Sequence, residues 1–360
     1  MRAFLHERYG DARPVTSRIH HRQIYDYFRV EEQPAVRLHK LTPTERPPPG
    51  FLGGKREGLQ WQASRARSLE GLVPVRRLAL SDLVRFRSLD RFLHKRGHKR
   101  RSLLRSVGAN APGTSDPIHR WADVYHSVTN SGASATLNIW KPELTPGQNF
   151  SLSQIWCVAD GPLGRQTVEV GWHIYPALTN HNEPAMFCYW TRDGYQQTGS
   201  YNGFGGDFKI ISQNTVLGAP ITDVSIANGA QTEVLCALKF YQGNWWVYIG
   251  GDQNENAVGY FPCSLYQGGP LGAGTATEVD FGGEVCGGPP FPPMGSGAFA
   301  AGAYQKASYQ RGLGILAADG SAVAPLNLLA DDEHPNDFTV TAGSSDSWGY
   351  YMFFGGPGGS

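Results

Sequence analysis

The sequence predicts an all-β protein, an antiparallel β-sandwich of two packed sheets preceded by a basic, partly helical N-terminal segment. Two observations predict it. Beyond Pro117, short apolar or alternating runs recur at intervals of about 10 to 20 residues, separated by clusters of Gly, Asn, Asp and Pro, with few helical patterns among them. Charge also divides the 360-residue chain: residues 1–105 hold 24 Lys and Arg against 10 Asp and Glu, a balance of +14, and the remainder holds 8 against 21, a balance of −13. A net charge of +1 therefore conceals two oppositely charged parts. All five cysteines and eight of the nine tryptophans fall in the acidic part, which places the core-forming material there.

The N-terminal part comes first. Prolines Pro47, Pro48 and Pro49, abundant arginine and little sustained periodicity before Leu72 read as a mobile or conditionally folded arm. Leu80, Leu83, Phe86, Leu89 and Leu93 then recur at three and four residues, which predicts a short amphipathic helix starting near Ser81. The basic run HKRGHKRRSLLR (94–105) follows it. Such a run can neutralise phosphates, but no aromatic platform or helix-turn-helix accompanies it, so no nucleic-acid partner is expected. His94 and His98 would share a helix face, yet lack Cys or acidic neighbours as metal ligands. The Gly-, Pro-, Ser- and Asn-rich stretch SVGANAPGTSDP (106–117) reads as a linker. The division is thus 1–105, 106–117 and 118–360.

In the acidic part, strands are expected near 121–128, 135–140, 150–158, 167–175, 186–190, 208–211, 232–241, 245–249, 259–265 and 276–285. A hairpin turns at Gln242, Gly243 and Asn244. The run GYYMFFGGPGG (349–359) supplies a last strand.

Two of these strands each place one carboxylate in an otherwise apolar, glycine-bearing run. In TVEVGWHIYP (167–176), Val168, Val170 and Trp172 share one face, and Thr167, Glu169, Gly171 and His173 the other. In EVDFGGEV (278–285), Val279, Phe281 and Gly283 alternate with Glu278, Asp280, Gly282 and Glu284. The glycines before Glu284 let another backbone approach closely. Two carboxylates facing one cleft form an acid/base pair, because mutual repulsion and desolvation keep one of them protonated while the other takes a proton from water. Gln154 and Trp156, alternating with Leu152, lie on the preceding strand and could hold an oxyanion and pack on substrate. No HExxH, GxSxG, P-loop or GxGxxG after a strand is present, and neither metal nor cofactor is expected. The remaining alternatives are a glycosidase, which also uses two carboxylates, and a lectin-like module with exposed Trp245 and Trp246.

With FSLSQIW (150–156), FCYWTRDGYQQTGSYN (187–202), FYQGNWWVYIGG (240–251) and FPPMGSGAF (291–299), these two strands resemble, in order from about Pro117 to the end, the neprosin family of glutamic peptidases. The resemblance implies an acid-active endopeptidase with a preference for proline-containing sites and places its catalytic glutamates at Glu169 and Glu284. Residues assigned to substrate from their strand positions and aromatic character are Gln154, Trp156, His173, Tyr189, Tyr195 and Gly283, with Asp193, Tyr201 and Asn202 weighed beside them. Glu169 is the preferred base, with His173 ordering water, and Glu284 the preferred acid, among the amides of its glycine turn. Ser200 stands where the family often has a cysteine, which removes one disulfide. The resemblance also implies a secreted protein and an N-terminal pro-segment. The first thirty residues carry no apolar run of a secretory signal, and no stretch is long enough to cross a membrane, so no membrane partner is expected. The pro-segment, with its positive charge, would dock on the acidic domain and be released by acid or high salt, and the domain could cut its own chain, for instance after Pro112. Catalysis requires both carboxylates in one concave site, neither sealed in an ion pair.

Overall fold

A computed structural model describes residues 1–39, 69–96, 118–251 and 256–359. The linker, Pro47 to Pro49, His98, Pro112 and the basic run beyond Arg96 lie outside them. Of the N-terminal part, the described residues are folded: helices α1 (Arg2–Tyr9) and α2 (Pro34–His39), and an antiparallel sheet of β1 (Thr16–His20), β2 (Gln23–Arg29) and β3 (Leu72–Arg76). Within the segment read from sequence as a mobile or conditionally folded arm, QIYDYFR forms β2 and buries Tyr25 and Tyr27.

The predicted helix over 80–93 is two short ones, α3 (Leu80–Leu83) and α4 (Leu89–Leu93). Two caps explain the break. The Ala79 amide donates to Asp82 Oδ2 at 2.8 Å at the start of α3, and the Arg91 amide donates to Ser88 Oγ at 3.1 Å at the start of α4. Phe86, between them, packs edge-on against Phe92 and Tyr175.

The rest is the expected sandwich. Its strands are β4 (Ile118–His126), β5 (Gly132–Asn138), β6 (Phe150–Gly161), β7 (Gly164–Ile174), β8 (Ala185–Thr191), β9 (Ser200–Tyr201), β10 (Lys209–Ile210), β11 (Glu233–Tyr241), β12 (Asn244–Ile249), β13 (Ala257–Pro262), β14 (Glu278–Gly287), β15 (Ser308–Leu316), β16 (Ala322–Val323), β17 (Leu329–Asp331), β18 (Thr339–Ser345) and β19 (Gly349–Gly355). One sheet runs β17-β4-β14-β6-β7-β8-β9, and the other β10-β13-β12-β11-β5-β15-β19-β18 with β16 on β15. The β11–β12 hairpin turns through Gln242 and Gly243, both at positive φ (47° and 76°), as a tight two-residue turn between twisted strands requires. β15 and β18 escaped the sequence reading. β15 carries Gly312 and Gly314 and shifts register between Arg311 and Gly314, which breaks the alternation that reveals a strand.

Between the sheets lie Val168, Val170, Trp172, Val279 and Phe281, packed with Leu137, Leu238, Val247 and Phe354. These are the apolar faces read from the sequence. Trp245 and Trp246 are 0% and 1% exposed, so neither is the surface tryptophan that the lectin-like reading assigned to it. Trp245 is buried because its indole N–H donates to the Leu271 carbonyl at 2.9 Å inside the core.

The N-terminal part packs on the opposite face of the first sheet. Leu78, Leu83 and Phe92 join Phe150, Leu152, Trp156, Tyr189 and Tyr201 in a second apolar cluster, with Phe92 stacked on Phe204 at 5.4 Å. Polar ties reinforce the contact: Arg8 Nη1 donates to Gly203 O at 2.8 Å, Arg76 Nη1 to Leu178 O at 2.8 Å, and Gln33 Nε2 to Ile210 O at 2.7 Å. This face is buried by the chain's own N-terminal part, which also contributes Phe28, Val73 and Val75 to the inter-sheet cluster.

Candidate active site

Strand register assembles the site. Across β14, β6, β7 and β8, Asp280 lies opposite Trp156, Trp156 opposite Glu169, and Glu169 opposite Tyr189. Glu284, four residues along β14, lies opposite Leu152 on β6 and Trp121 on β4. Side-chain alternation puts all of these on the face away from the inter-sheet core. Glu169 and Glu284 therefore converge diagonally over β6, although 115 positions separate them in the chain.

One group joins them. Lys95, two residues beyond α4, extends its ammonium between the carboxylates, with Nζ 2.9 Å from Glu169 Oε2 and 2.6 Å from Glu284 Oε2. The lysine side chain is 2% exposed, and the glutamates are 0% and 3% exposed. Its backbone amide donates to the Tyr189 hydroxyl at 3.0 Å, and its Nζ lies 5.5 Å from the Trp156 ring centroid. Burial alone lowers a lysine's pKa, but Glu169 and Glu284 outweigh it and hold this one above its ordinary value. Both carboxylates are thus sealed in an ion pair, contrary to the requirement for an open site. The seal comes from the N-terminal part rather than from the sandwich.

Each carboxylate keeps other partners. Tyr195 donates its hydroxyl to Glu169 Oε1 at 2.7 Å, and Thr167 Oγ1 donates to the same oxygen at 2.7 Å. Burial, then Glu169 and Glu284, push the Tyr195 phenol well above its ordinary pKa, so it remains a donor. Tyr195 has a φ of 66°, unfavourable for an aromatic residue, and its N–H is held by Thr191 Oγ1 at 3.2 Å. Glu284 Oε1 meets His119 Nδ1 at 2.6 Å, and Gln154 Nε2 reaches Oε2 at 3.5 Å. Burial raises the Glu284 pKa, but Lys95 and then His119 outweigh it and hold the carboxyl below the usual range.

Of the residues singled out from sequence, Glu169, Glu284, Gln154, Trp156, Tyr189 and Tyr195 come together here. His173 does not. It is stacked on Phe187 at 4.5 Å with its ring planes 8° apart, and neither ring nitrogen has a hydrogen-bond partner among the described residues. Its position on β7 is opposite Leu152 and Ala185, inside the aromatic cluster, where burial drives its pKa well below the ordinary value. Ordering of water at Glu169 by His173 is excluded by that placement. Gly283 also points elsewhere: a Cβ on it would meet Phe354 and Met294 in the inter-sheet core at 2.4 and 2.7 Å. Gly282 is the glycine that admits a neighbouring backbone, since a Cβ there would lie 2.5 Å from the Asp123 Cα on β4.

Asp193 accepts from the Gln196 and Gln197 amides at 3.1 and 2.9 Å, and Asn202 Oδ1 accepts from the Cys188 amide at 3.1 Å, so both hold loops. Ser200 Oγ donates to Asp207 Oδ1 at 2.7 Å, and the five cysteines are unpaired.

Lys95, His119 and Thr167 were not singled out as site residues. Lys95 is one cation in a run of them. His119 left a faint signal, alternating with Trp121 on a strand. Beside Lys95, a cavity of about 550 Å³ runs between the N-terminal part and the sandwich, lined by Arg91, His94, Arg96, Phe150, Tyr175 and Cys286.

A family model described as Neprosin matches residues 147–357. Among solved structures, scytalido-glutamic peptidase with a transition state analog inhibitor is similar at 12% identity and a TM-score of 0.39, covering 66% of this chain and 97% of that one. SCP-B, a member of the Eqolisin family of peptidases in complex with a tripeptide Ala-Ile-His, is similar at 10% identity and a TM-score of 0.37, covering 67% and 98%.

Proposed function

The chain belongs to the neprosin family and, at the level of that family, is a glutamic peptidase; we propose that Glu169 and Glu284 form its catalytic pair, and that residues 1–105 hold it latent. The observation that carries this reading is the single ammonium within 2.9 Å of both carboxylates. Groups that share one nitrogen can share one water oxygen, and Nζ occupies the point where that water would stand.

Hydrolysis then needs no other nucleophile. One carboxylate takes a proton from water as the water oxygen attacks the peptide carbonyl carbon. The other, protonated, donates to the carbonyl oxygen, takes that proton back as the C=O bond re-forms, and gives it to the departing nitrogen as the C–N bond breaks. Each carboxyl ends in its partner's protonation state, and exchange with solvent restores the pair. Activity in acid follows, because the pair must hold one proton between them. Trp156, Tyr189 and Tyr195 are flat apolar walls suited to a proline ring, which supports the preference for proline-containing sites. Export from the cell is the localisation this reading implies.

The test uses the full chain with a proline-rich peptide at about pH 3 and about pH 7, beside Glu169→Gln and Glu284→Gln. Cleavage in acid that disappears in both variants is expected, and cleavage surviving in either removes the pair from the mechanism. A peptide with alanine for proline tests the preference, and equal rates for the two peptides would sink it. Turnover of glycans instead would transfer the site to a glycosidase. Self-cleavage within 106–117 is read from the N-terminus after acid incubation, and a terminus still at Met1 argues against it.

A further inference from the structure

His119 touches the pair from a strand outside the matched family segment. It lies opposite Cys286 in the β4–β14 register and diagonally beside Glu284, within reach of a long side chain. Its Nδ1 is 2.6 Å from Glu284 Oε1, and its Nε2 is 3.3 Å from Cys286 Sγ. The ring is clamped between Trp121, stacked at 5.8 Å, and Phe150, edge-on at 5.6 Å. Burial, then Glu284, push the Cys286 thiol well above its ordinary pKa, so it keeps its proton, and its sulfur donates to Nε2 of the neutral ring or accepts from Nε2 of the protonated one. An ionised carboxylate only accepts, so in either state an Nδ1 proton faces Glu284.

The two carboxylates therefore differ once Lys95 is displaced. Glu169 keeps two neutral hydroxyl donors, Tyr195 and Thr167. Glu284 keeps an imidazole, the one side chain among the described residues hydrogen-bonded to either carboxylate, apart from Lys95, that can carry positive charge. Hydrogen bonds to an ionised partner strengthen further when the donor is itself cationic.

Building on the peptidase reading, we propose that His119, held by the Cys286 thiol, is the positioning residue that keeps Glu284 ionised and makes it the base, leaving Glu169 as the acid. This reverses the roles preferred from sequence. The titratable and charged groups facing Glu284 are His119 from β4, Lys95 from the N-terminal part, Cys286 and Asp280 on its own strand, Arg165 from β7, Tyr195 and Tyr201 beyond β8, and Glu169 across the ammonium. Arg91, with Lys95, acts on the Cys286 side.

The experiment follows the Glu169 and Glu284 side-chain carboxyls by NMR against pH, in the full chain carrying Lys95→Met and ¹³C-labelled glutamate. Each resonance is assigned by its Gln variant. Glu284 is expected to lose its charge at lower pH than Glu169. His119→Phe should raise the Glu284 midpoint by about one pH unit or more and leave Glu169 in place. His119→Asn, which keeps an N–H near the Nδ1 position, should recover part of the shift and serves if the Phe variant does not fold. An unmoved Glu284 midpoint in a folded variant, or Glu169 losing its charge at lower pH, overturns the assignment. If peptide cleavage is present, the acid limb of kcat should move with the midpoint while KM stays constant. Titration as expected with no cleavage would instead refute the peptidase reading and leave the His119 contact standing.

Discussion

The two faces of strand β7 differ by one residue in phase and by almost everything in chemistry. Val168, Val170 and Trp172 point into the apolar inter-sheet core, where the Trp172 indole donates to Asn138 O at 3.0 Å. Thr167, Glu169 and Gly171 point the other way, to a face that is equally buried but charged, and that is covered by another part of the chain. Burial on the inner face expresses stability, whereas on the outer face it expresses occupancy: the occupant includes an ammonium that two carboxylates need only while nothing else lies between them. A buried ion pair of this kind adds little net stability but is costly to break from one side.

That contrast can be tested by disturbing one face at a time. Trp172→Ala on the inner face should cost about 3–5 kcal/mol of folding stability, read by chemical denaturation, because it empties the centre of the core. A loss near zero would mean the sheets do not pack as described. On the outer face, Lys95→Met leaves two buried carboxylates unpaired, a cost that undocking relieves by returning them to water; it should therefore raise peptide cleavage near neutral pH by about tenfold or more and open the N-terminal part to proteolysis, with little change in the unfolding midpoint of the sandwich. Unchanged latency in that variant would show that the lysine does not hold the segment.

Acid should do the same to the unaltered chain. Because the docked Glu284 carboxyl sits below its ordinary pKa, its contribution to docking is complete above the usual carboxylate range and is lost as pH falls through the lowered value. Lys95, held above its ordinary value, stays charged throughout that window. Limited proteolysis across the acid range should therefore show release on acidification, and a segment still protected at the acid end would break the linkage.

Tyr195→Phe should lower kcat by about tenfold, the worth of a hydrogen bond to a charged group, and leave the fold intact. The smallest effect is expected from salt. The sequence balance of +14 against −13 predicts release in high salt, but screening acts weakly on a pair whose members are at most 3% exposed. About 1 M salt near neutral pH should leave the segment protected, and release would return the docking to bulk charge.

Much of this was legible in the chain. Period two assigned the faces of β7 and β14 correctly, because strands buried on one side by hydrocarbon and on the other by a second element still alternate in residue type. The motifs around Glu169 and Glu284 singled out the two carboxylates that the fold brings onto one ammonium. What could not be read are contacts that depend on tertiary placement. Lys95 is one cation among several in HKRGHKRR until its place just beyond α4 carries it into the cleft. His173 looked the better partner for Glu169 on the same strand, yet register carried it into a stack with Phe187, and His119 reached Glu284 from a different strand altogether. Strand β15 was hidden by glycines whose purpose is a bulge.

The occupant of the cleft and the cleft itself belong to one polypeptide, joined between Arg96 and Ile118 by a run of backbone. A tether makes the local concentration of Lys95 a matter of chain length rather than of expression level, so even a feeble intrinsic affinity suffices to keep the site filled. Severing that run anywhere changes the order of the reaction: the same contacts become bimolecular, and dilution alone then empties the cleft.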